Sequence, residues 1–251
     1  MNAPERLLLP DIQSQPDHRA IAIDRVGIRG LRHPVSATAV GGAAVTTIAT
    51  VDMAVALPAT AKGTHMSRFL EVLQTHGGET SVATLPALLQ AMLRRLDAQE
   101  GTLALRFPYF VRKRAPVSGV ESLMDYDVTL RASGGACATL HVEVEVPVTS
   151  LCPCSKEISA YGAHNQRSTV SIAAELAAPL APEDLIAMAE RAASCELYGL
   201  LKRPDEKYVT ERAYDNPKFV EDLVRDVALE LEADARVVAY RVESENFESI
   251  H

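Results

Sequence analysis

The stretch TLHVEVEV, residues 139–146, alternates polar and apolar side chains at every position. A period of two is typical of a β-strand with one face in a hydrophobic core and the other face polar. Gly134 and Gly135 come shortly before it, and paired glycines between two strand-like runs predict a hairpin. The middle of the chain is therefore predicted to be antiparallel sheet that buries one face.

The hydrophobic periodicity on either side of this strand predicts the other elements. Strands are predicted at about 21–28, 44–57, 103–111, 123–132, 168–175 and 236–242. Helices are predicted at about 66–75, 85–96, 182–200 and 216–231. The order is ββααββ followed by ββαα and a last strand, so strands and helices come in blocks. This order predicts an α+β fold with helices on one face of antiparallel sheets.

The repeated order of elements also predicts how the chain divides. Residues 1–18 are polar, contain three of the fourteen prolines, and are predicted to form a flexible arm. A first unit is predicted over residues 19–133 and a second over residues 134–251. The two units share an order of elements but no residue-level repeat.

Composition and charge exclude several classes of protein. Hydrophobic residues make up 47% of the 251, which is too apolar for a disordered chain and enough for a sizeable core. The formal net charge of −8 argues against a nucleic-acid partner and against an anionic membrane surface. No stretch approaches the ~20 apolar residues of a membrane span, and the start of the chain lacks a secretory signal. We therefore expect a cytoplasmic protein whose four cysteines are reduced.

The segment TSLCPCSKEISAYGAHNQRS, residues 149–168, places His164 twelve residues after Cys152. Thiolate and imidazole together suit a borderline metal such as zinc, or iron or manganese with added oxygen ligands. The alternative is two buried cysteines in a tight turn and a histidine on the surface. Spacing alone leaves both interpretations open, because a paired CxxC pattern is absent.

Two further segments present polar side chains near predicted helix ends. In residues 194–225, Glu206 could complete a metal site, and Glu221 could accept hydrogen bonds from a base. The alternative is a solvated charged loop and an exposed helical face. In AKGTHMSRFLEVL, residues 61–73, Thr64 could cap a helix whose start would favour anions near His65 and Arg68. The alternative there is a capped helix with both side chains in water.

Several long segments of the chain resemble the GTP cyclohydrolase type IB family. They are VGIRGLRHPV (26–35), KGTHMSRF (62–69), SLCPCSKEIS (150–159), YGAHNQRS (161–168), LLKRPDEKYVTERAYDNPKFVEDLVR (200–225) and the terminal ESENFESIH. The resemblance implies tandem tunnelling-fold units, and a homotetramer with active sites at subunit interfaces. It also implies conversion of GTP and water to formate and 7,8-dihydroneopterin triphosphate, the first step of tetrahydrofolate biosynthesis.

The resemblance assigns roles one residue at a time. It implies that Cys152 is a metal ligand and catalytic, and that His164 and Glu206 are the other ligands of a divalent transition metal, Zn, Mn or Fe. It implies that Glu221 anchors the guanine ring and that His251 is a catalytic histidine near the metal. By spacing alone His251 would have been dismissed as a tail residue. Family members usually continue past that histidine, whereas this chain stops there.

The triphosphate of GTP needs a local cluster of cations, because the chain as a whole is negative. We expect Lys62, His65 and Arg68 to bind it across a subunit interface, with Lys207 as a further candidate. Two other functions remain open: another tunnelling-fold pterin or purine enzyme with a nucleophilic Cys152, or a non-enzymatic Cys-Pro-Cys metal or redox protein. A non-enzymatic metal or redox protein would leave Glu221 without a function.

Overall fold

A computed structural model describes residues 11–13, 15–38 and 43–248 of the chain. The strands are β1 Ile23–Thr38, β2 Ala44–Leu57, β3 Glu79–Thr80, β4 Gly101–Arg114, β5 Glu121–Gly134, β6 Ala138–Ser150, β7 Gln166–Leu176 and β8 Val237–Phe247. The helices are α1 Met66–His76, α2 Leu85–Leu96, α3 Pro153–Ile158, α4 Pro182–Ala192, α5 Arg203–Asp215 and α6 Val220–Ala233. In the part of the chain that the structure describes, no helix is both long and apolar enough to cross a membrane.

The eight strands form one sheet in the order β3-β1-β2-β4-β5-β6-β7-β8. Every pair is antiparallel except the short parallel contact between β1 and β3. The hairpin predicted at Gly134 is present, because Gly134 pairs with Ala138 where β5 turns into β6. The sheet therefore continues across the boundary between the two predicted units.

The core lies on one face of this sheet. In β6 the apolar residues that alternate with polar ones are buried, with Leu140 at 8% exposure and Val142, Val144, Val146 and Val148 at 0%. They pack in one cluster with the buried faces of α1, α2, α4 and α6. Fully burying one such side chain stabilises the fold by about 1.5–3 kcal/mol. The structure thus confirms an α+β fold with helices on one face of an antiparallel sheet.

The element bounds show where the sequence patterns were sufficient. β2 and α2 have the predicted bounds, whereas β1 and β8 are longer than predicted. The helix predicted over 182–200 is wrong beyond Ala192, because Cys195 leaves the helix to pair with Thr149 through two backbone hydrogen bonds of 2.9 and 3.4 Å. The predicted cap at Thr64 is also wrong: His65 is the N-cap residue of α1, and Thr64 is buried.

Two helices were not predicted at all. α5 occupies a segment that was interpreted as a charged loop, and only Asp205 and Ala213 of its thirteen residues are buried. α3 has six residues, none of them buried, and lies where the sequence indicated a Cys-Pro-Cys turn. Neither helix has a clear apolar face, which is the signal that predicts a helix from sequence.

Strand direction fixes which segments share an end of the sheet. Antiparallel steps from β2 to β4, β5 and β6 reverse the chain three times, so β2 and β6 run in opposite directions. The end where β6 finishes leads to Cys152 and is called the Cys152 end. The end where β2 finishes leads to Lys62 and is called the Lys62 end. With thirteen residues in β6, the two ends are about 40 Å apart.

Candidate active site

Cys152 lies at the junction between β6 and α3. It is half-buried and extended at φ −71° and ψ 120°, and Pro153 occupies the first position of α3. The backbone N–H of Ser155 donates a hydrogen bond to the thiol and lowers its pKa, and this outweighs the opposing effects of burial and of Glu248. The sequence therefore builds a thiol that ionises more readily than a free cysteine, as metal ligands and nucleophiles require.

Cys195 is the contrasting case. It is fully buried, and burial raises the pKa of its thiol. A buried thiol with a raised pKa is inert, so Cys195 has a packing role.

His164 lies in the loop between α3 and β7 and is exposed. Its Nδ1 is 3.1 Å from the carbonyl oxygen of Asn165. A proton on Nδ1 would donate to that carbonyl, which is how the ring of a ligating histidine is usually oriented. The ring borders a pocket of about 470 Å³ between this loop and α5, lined by Ala163, His164, Asn165, Thr210, Glu211, Tyr214 and Asp215.

Glu206 lies in the first turn of α5 and is exposed, with its carboxylate 3.8 Å from Arg203. Residues four apart share a face of a helix, so Glu206 is on the same face as Thr210 and Tyr214. Both of those residues line the pocket beside His164. Glu206 is therefore one helical turn from the pocket.

The predicted metal ligands lie on neighbouring segments, but the structure does not bring them together as a coordination group. Among the residues that the structure describes, no three His, Cys, Asp or Glu side chains are placed to hold a metal ion. His251 lies outside the described residues. The donor types fit a borderline divalent metal, because the set combines a thiol of lowered pKa, an imidazole oriented by the Asn165 carbonyl and a carboxylate. The metal site stays a prediction.

Glu221 and the end of β8 also lie at the Cys152 end. Glu221 is exposed in the first turn of α6, and the backbone N–H of Lys218 just before that helix donates to the carbonyl of Leu151 at 3.1 Å. At the end of β8, Gln166 Nε2 donates to the Glu248 carboxylate at 3.1 Å. The segment that leads to His251 therefore starts beside Cys152.

The predicted phosphate ligands of the first half lie at the Lys62 end. Lys62 Nζ donates to the Gln15 side-chain oxygen at 3.3 Å, and His65 Nε2 is 3.3 Å from the Asp11 carboxylate. Arg68 is half-buried in the first turn of α1. Lys207 is separate from them, on α5, where it pairs with Glu211. One chain therefore does not bring Lys62, His65 and Arg68 to the thiol.

Sequence reasoning did not find the buried anchor of α5, Asp205. Its carboxylate is 0% exposed and accepts hydrogen bonds from the backbone N–H groups of Val117, Ser118 and Lys202, each at 2.8 Å, and from the Ser118 hydroxyl at 2.6 Å. Burial raises the pKa of this carboxyl, but the hydrogen bonds outweigh burial and hold it well below its ordinary value. Pro204 followed by an acidic residue was a signal of a helix start. Asp205 thereby fixes the first turn of α5, which carries Glu206.

Sequence reasoning also missed a half-buried ionic network at the same end of the sheet. Lys113 Nζ lies 2.7 Å from the Glu190 carboxylate and 2.9 Å from the Glu196 carboxylate. The hydroxyls of Tyr126 and Tyr198 donate to these two carboxylates at 2.7 and 2.6 Å. Burial raises the pKa of Glu190 against the opposing effect of Lys113. No local pattern could reveal these partners, because Lys113 and Glu190 are 77 residues apart.

The fold and the site define a class: an α+β protein whose antiparallel sheet gathers a thiol, an imidazole and carboxylates at one end. The family described as type I GTP cyclohydrolase FolE2 matches residues 9–251, and the chain belongs to this family. GTP cyclohydrolase FolE2 1 of Dechloromonas aromatica (strain RCB) is 57% identical over 253 residues, covering 100% of this chain and 95% of that protein. GTP cyclohydrolase FolE2 of Paraburkholderia xenovorans (strain LB400) is 59% identical over 245 residues, covering 97% and 91%.

Among solved structures, the uricase of Arthrobacter globiformis has a TM-score of 0.48 and 11% identity, with 87% of this chain and 79% of that chain covered. A likeness this low carries no argument about function.

The Asp205 anchor gives a stability prediction with a defined pH dependence. In Asp205→Asn the amide cannot accept all four hydrogen bonds, so we expect the Tm at pH 7 to fall by about 5–10 °C. Because the pKa is lowered in the folded protein, the carboxylate stabilises fully above its ordinary value of 3.8 and loses this effect as pH falls further. The Tm gap between wild type and variant should therefore narrow below that pH, as thermal unfolding between pH 7 and pH 3 would measure. Asp24→Asn, at an exposed position of β1, is the matched control. If the fall in Tm for Asp205→Asn equals the fall for Asp24→Asn, or if it does not change with pH, Asp205 does not anchor α5.

Proposed function

We propose that this chain is a GTP cyclohydrolase I, converting GTP and water to formate and 7,8-dihydroneopterin triphosphate at the start of tetrahydrofolate biosynthesis. The observation that carries the proposal is the family match over residues 9–251, which includes every predicted site residue. The geometry agrees with it, because the segments bearing Cys152, His164, Glu206 and Glu221 all meet at one end of the sheet. The enzyme would act in the cytoplasm.

The proposal assigns the metal ligands to Cys152, His164 and Glu206. A bound divalent Zn, Mn or Fe ion would lower the pKa of a water from 15.7 to as low as about 7 and so supply hydroxide near neutral pH. Ser155 stabilises the thiolate of Cys152, and the Asn165 carbonyl orients the imidazole of His164. Three protein ligands leave a position for water.

Protons must move when water adds at C8 of guanine and when formate leaves. We assign this transfer to His251, because an imidazole ionises near neutral pH and can both accept and donate. His251 comes three residues after Glu248 in the sequence, and the negative charge of Glu248 acts to raise the pKa of the Cys152 thiol. The closing rearrangement to the pterin is intramolecular, so the pocket aids it mainly by positioning.

Base recognition is assigned to Glu221. Its carboxylate is exposed in the first turn of α6 and could accept hydrogen bonds from the guanine N1–H and 2-amino group. ATP lacks those donors. The backbone hydrogen bond from Lys218 to Leu151 holds the start of α6 next to the chain segment that carries Cys152.

Phosphate binding requires a second subunit in this proposal. Lys62, His65 and Arg68 lie at the Lys62 end, opposite the thiol in the same chain, so a neighbouring subunit would supply them. Lys207 would come from the subunit that holds the metal. A homotetramer with interface sites satisfies both requirements, because closed symmetry repeats the same contact at every site.

The first test is formate release from GTP by the purified protein. We expect activity that a chelator abolishes and added divalent metal restores, with Cys152→Ala losing more than the roughly 10–100-fold that removal of an outer-shell residue costs. Cys137→Ala is the matched control, since Cys137 is an exposed cysteine in the turn between β5 and β6. Activity that survives chelation but not Cys152→Ala would instead favour a nucleophilic cysteine. Absence of formate from metal-loaded wild type would contradict the function itself.

The second test concerns Glu221. A site built to accept a substrate's hydrogen bonds rejects analogues that lack them by about 10⁴–10⁵-fold, so Glu221→Gln should lower kcat/KM for GTP by a large part of that factor. Tm and metal content should stay near wild type, because Glu221 is exposed. Asp222→Asn, which breaks an ion pair with Arg225 on the same turn, is the control. Equal kcat/KM in the two variants would rule out base recognition by Glu221.

The third test asks whether one site uses two subunits. Arg68→Ala and Cys152→Ala proteins are each expected to be inactive, and subunits are exchanged between them at equal amounts. If Arg68 and Cys152 come from different subunits, about a quarter of the sites regain both wild-type residues. Mass spectrometry would verify the exchange. Activity that stays at zero in verified hybrids would place both residues in one subunit's site.

A further inference from the structure

Three residues that have no role in the proposed chemistry meet between the segments that carry the predicted metal ligands. Lys156 is on α3, four residues after Cys152, and Gly162 is two residues before His164. Tyr214 is on α5, two helical turns after Glu206 and on the same face. Each of the three segments thus contributes one residue to a single junction.

The contact between Lys156 and Tyr214 joins α3 to α5. Lys156 Nζ donates to the backbone carbonyl of Tyr214 at 2.6 Å and lies 4.1 Å from the centre of the tyrosine ring. That carbonyl belongs to the last turn of α5, where helical partners are missing and a cation is favourable. The N–H of Lys218, four residues on, donates to Leu151 instead. The end of α5 is therefore bonded on both sides to the chain around Cys152.

The contact between Gly162 and Tyr214 joins the histidine loop to α5. Gly162 has φ +75°, a conformation that glycine adopts without strain, and its N–H closes a turn onto the Ser159 carbonyl at 3.1 Å. A Cβ at this position would lie 3.0 Å from the Tyr214 hydroxyl oxygen and 3.1 Å from Cε2 of the ring. The loop backbone therefore lies so close to the ring that a Cβ at Gly162 would push the Tyr214 side chain away by a few tenths of an ångström.

The junction matters because the side chains of the two helices bury little surface, and the end of α5 is otherwise held by Asn216, whose side chain donates to the backbone carbonyls of Ala193 and Ser194 at 3.0 and 3.2 Å. α3 buries none of its side chains, and α5 buries only Asp205 and Ala213. Asp205 fixes the start of α5, whereas Tyr214 is near its end. Without the junction, the spacing between thiol, imidazole and carboxylate would depend on short segments attached mainly by their ends.

We propose that Lys156, Gly162 and Tyr214 form a positioning junction that sets the relative placement of Cys152, His164 and Glu206 for metal binding. The inference rests on the proposed function, since it takes those three as the ligands. None of the junction residues touches the metal in this scheme. Residues that orient metal ligands typically change metal affinity 10–100-fold when they are replaced.

Co²⁺ is the probe, because a thiolate bound to Co²⁺ gives a charge-transfer absorption that reports the Cys152 ligand directly. Apoprotein is titrated with Co²⁺ for Lys156→Met, Lys156→Arg and Gly162→Ala. We expect the Kd to rise about 10-fold or more in Lys156→Met and Gly162→Ala, and to stay near wild type in Lys156→Arg, which keeps the cation over the ring. Removing a positive charge would by itself favour a bound cation. Weaker binding in Lys156→Met therefore isolates the positioning effect from simple electrostatics.

Gly30→Ala is the matched control for Gly162→Ala. Gly30 has φ +71°, but a Cβ there meets nothing within 4 Å, so this control carries the backbone strain without the contact. Tm values of the two variants should be similar, while only Gly162→Ala loses Co²⁺ affinity. Equal Kd values in the two variants, or no recovery in Lys156→Arg, would overturn the inference, as would the lack of a thiolate band in wild type. A wild type that binds Co²⁺ through its thiol but releases no formate from GTP with any of the three proposed metals would overturn the proposed function alone.

Discussion

Antiparallel pairing from β1 to β8 reverses the chain at each neighbouring strand, and this constraint decides which segments can share a site. One end of the sheet therefore carries the end of β6, the loop that contains His164, the starts of α5 and α6, and the end of β8. The end of β2 and the start of α1 are brought to the other. A substrate with a purine at one end and a triphosphate at the other would have to bridge parts of two chains. Oligomer formation would then be a condition of binding as well as of stability.

Hydrogen bonds and ion pairs away from the solvent attach the helices and loops to the paired strands. Asp205 ties the hairpin between β4 and β5 to the start of α5, and the Lys113 network ties β4 and β5 to the chain around Glu190 and Glu196. Groups of this kind are costly to bury unless every partner is present. They act as fixed points, because displacing one would leave several charged or polar groups without partners. The residues predicted to bind the metal lie on segments that run between these fixed points.

The sequence was sufficient where a strong period decides the structure. β2 and α2 were predicted with their bounds, since alternation and helical spacing each place an unbroken apolar face on the core. α5 was missed because it is held by hydrogen bonds of its own Asp205 carboxylate and Tyr214 carbonyl to distant residues, rather than by an apolar face. In the candidate site, spacing indicated Cys152 and His164, and position near predicted helix ends made Glu206 and Glu221 candidates. The role of His251 came only from resemblance to a family. The contacts that join these residues link positions as far apart as Lys156 and Tyr214, which no local pattern can indicate.

The absence of buried side chains in α3 has a consequence for the order in which activity and folded structure are lost. We expect amide groups in the buried strands β6 and β7 to exchange with solvent through large-scale opening of the sheet, and α3 to detach at a smaller free energy because it buries no side chains. Partial opening of this kind would release the thiol while the rest of the molecule stays native by circular dichroism. Loss of activity on storage or mild heating would then precede loss of structure, and the melting temperature would overestimate the working life of the catalyst.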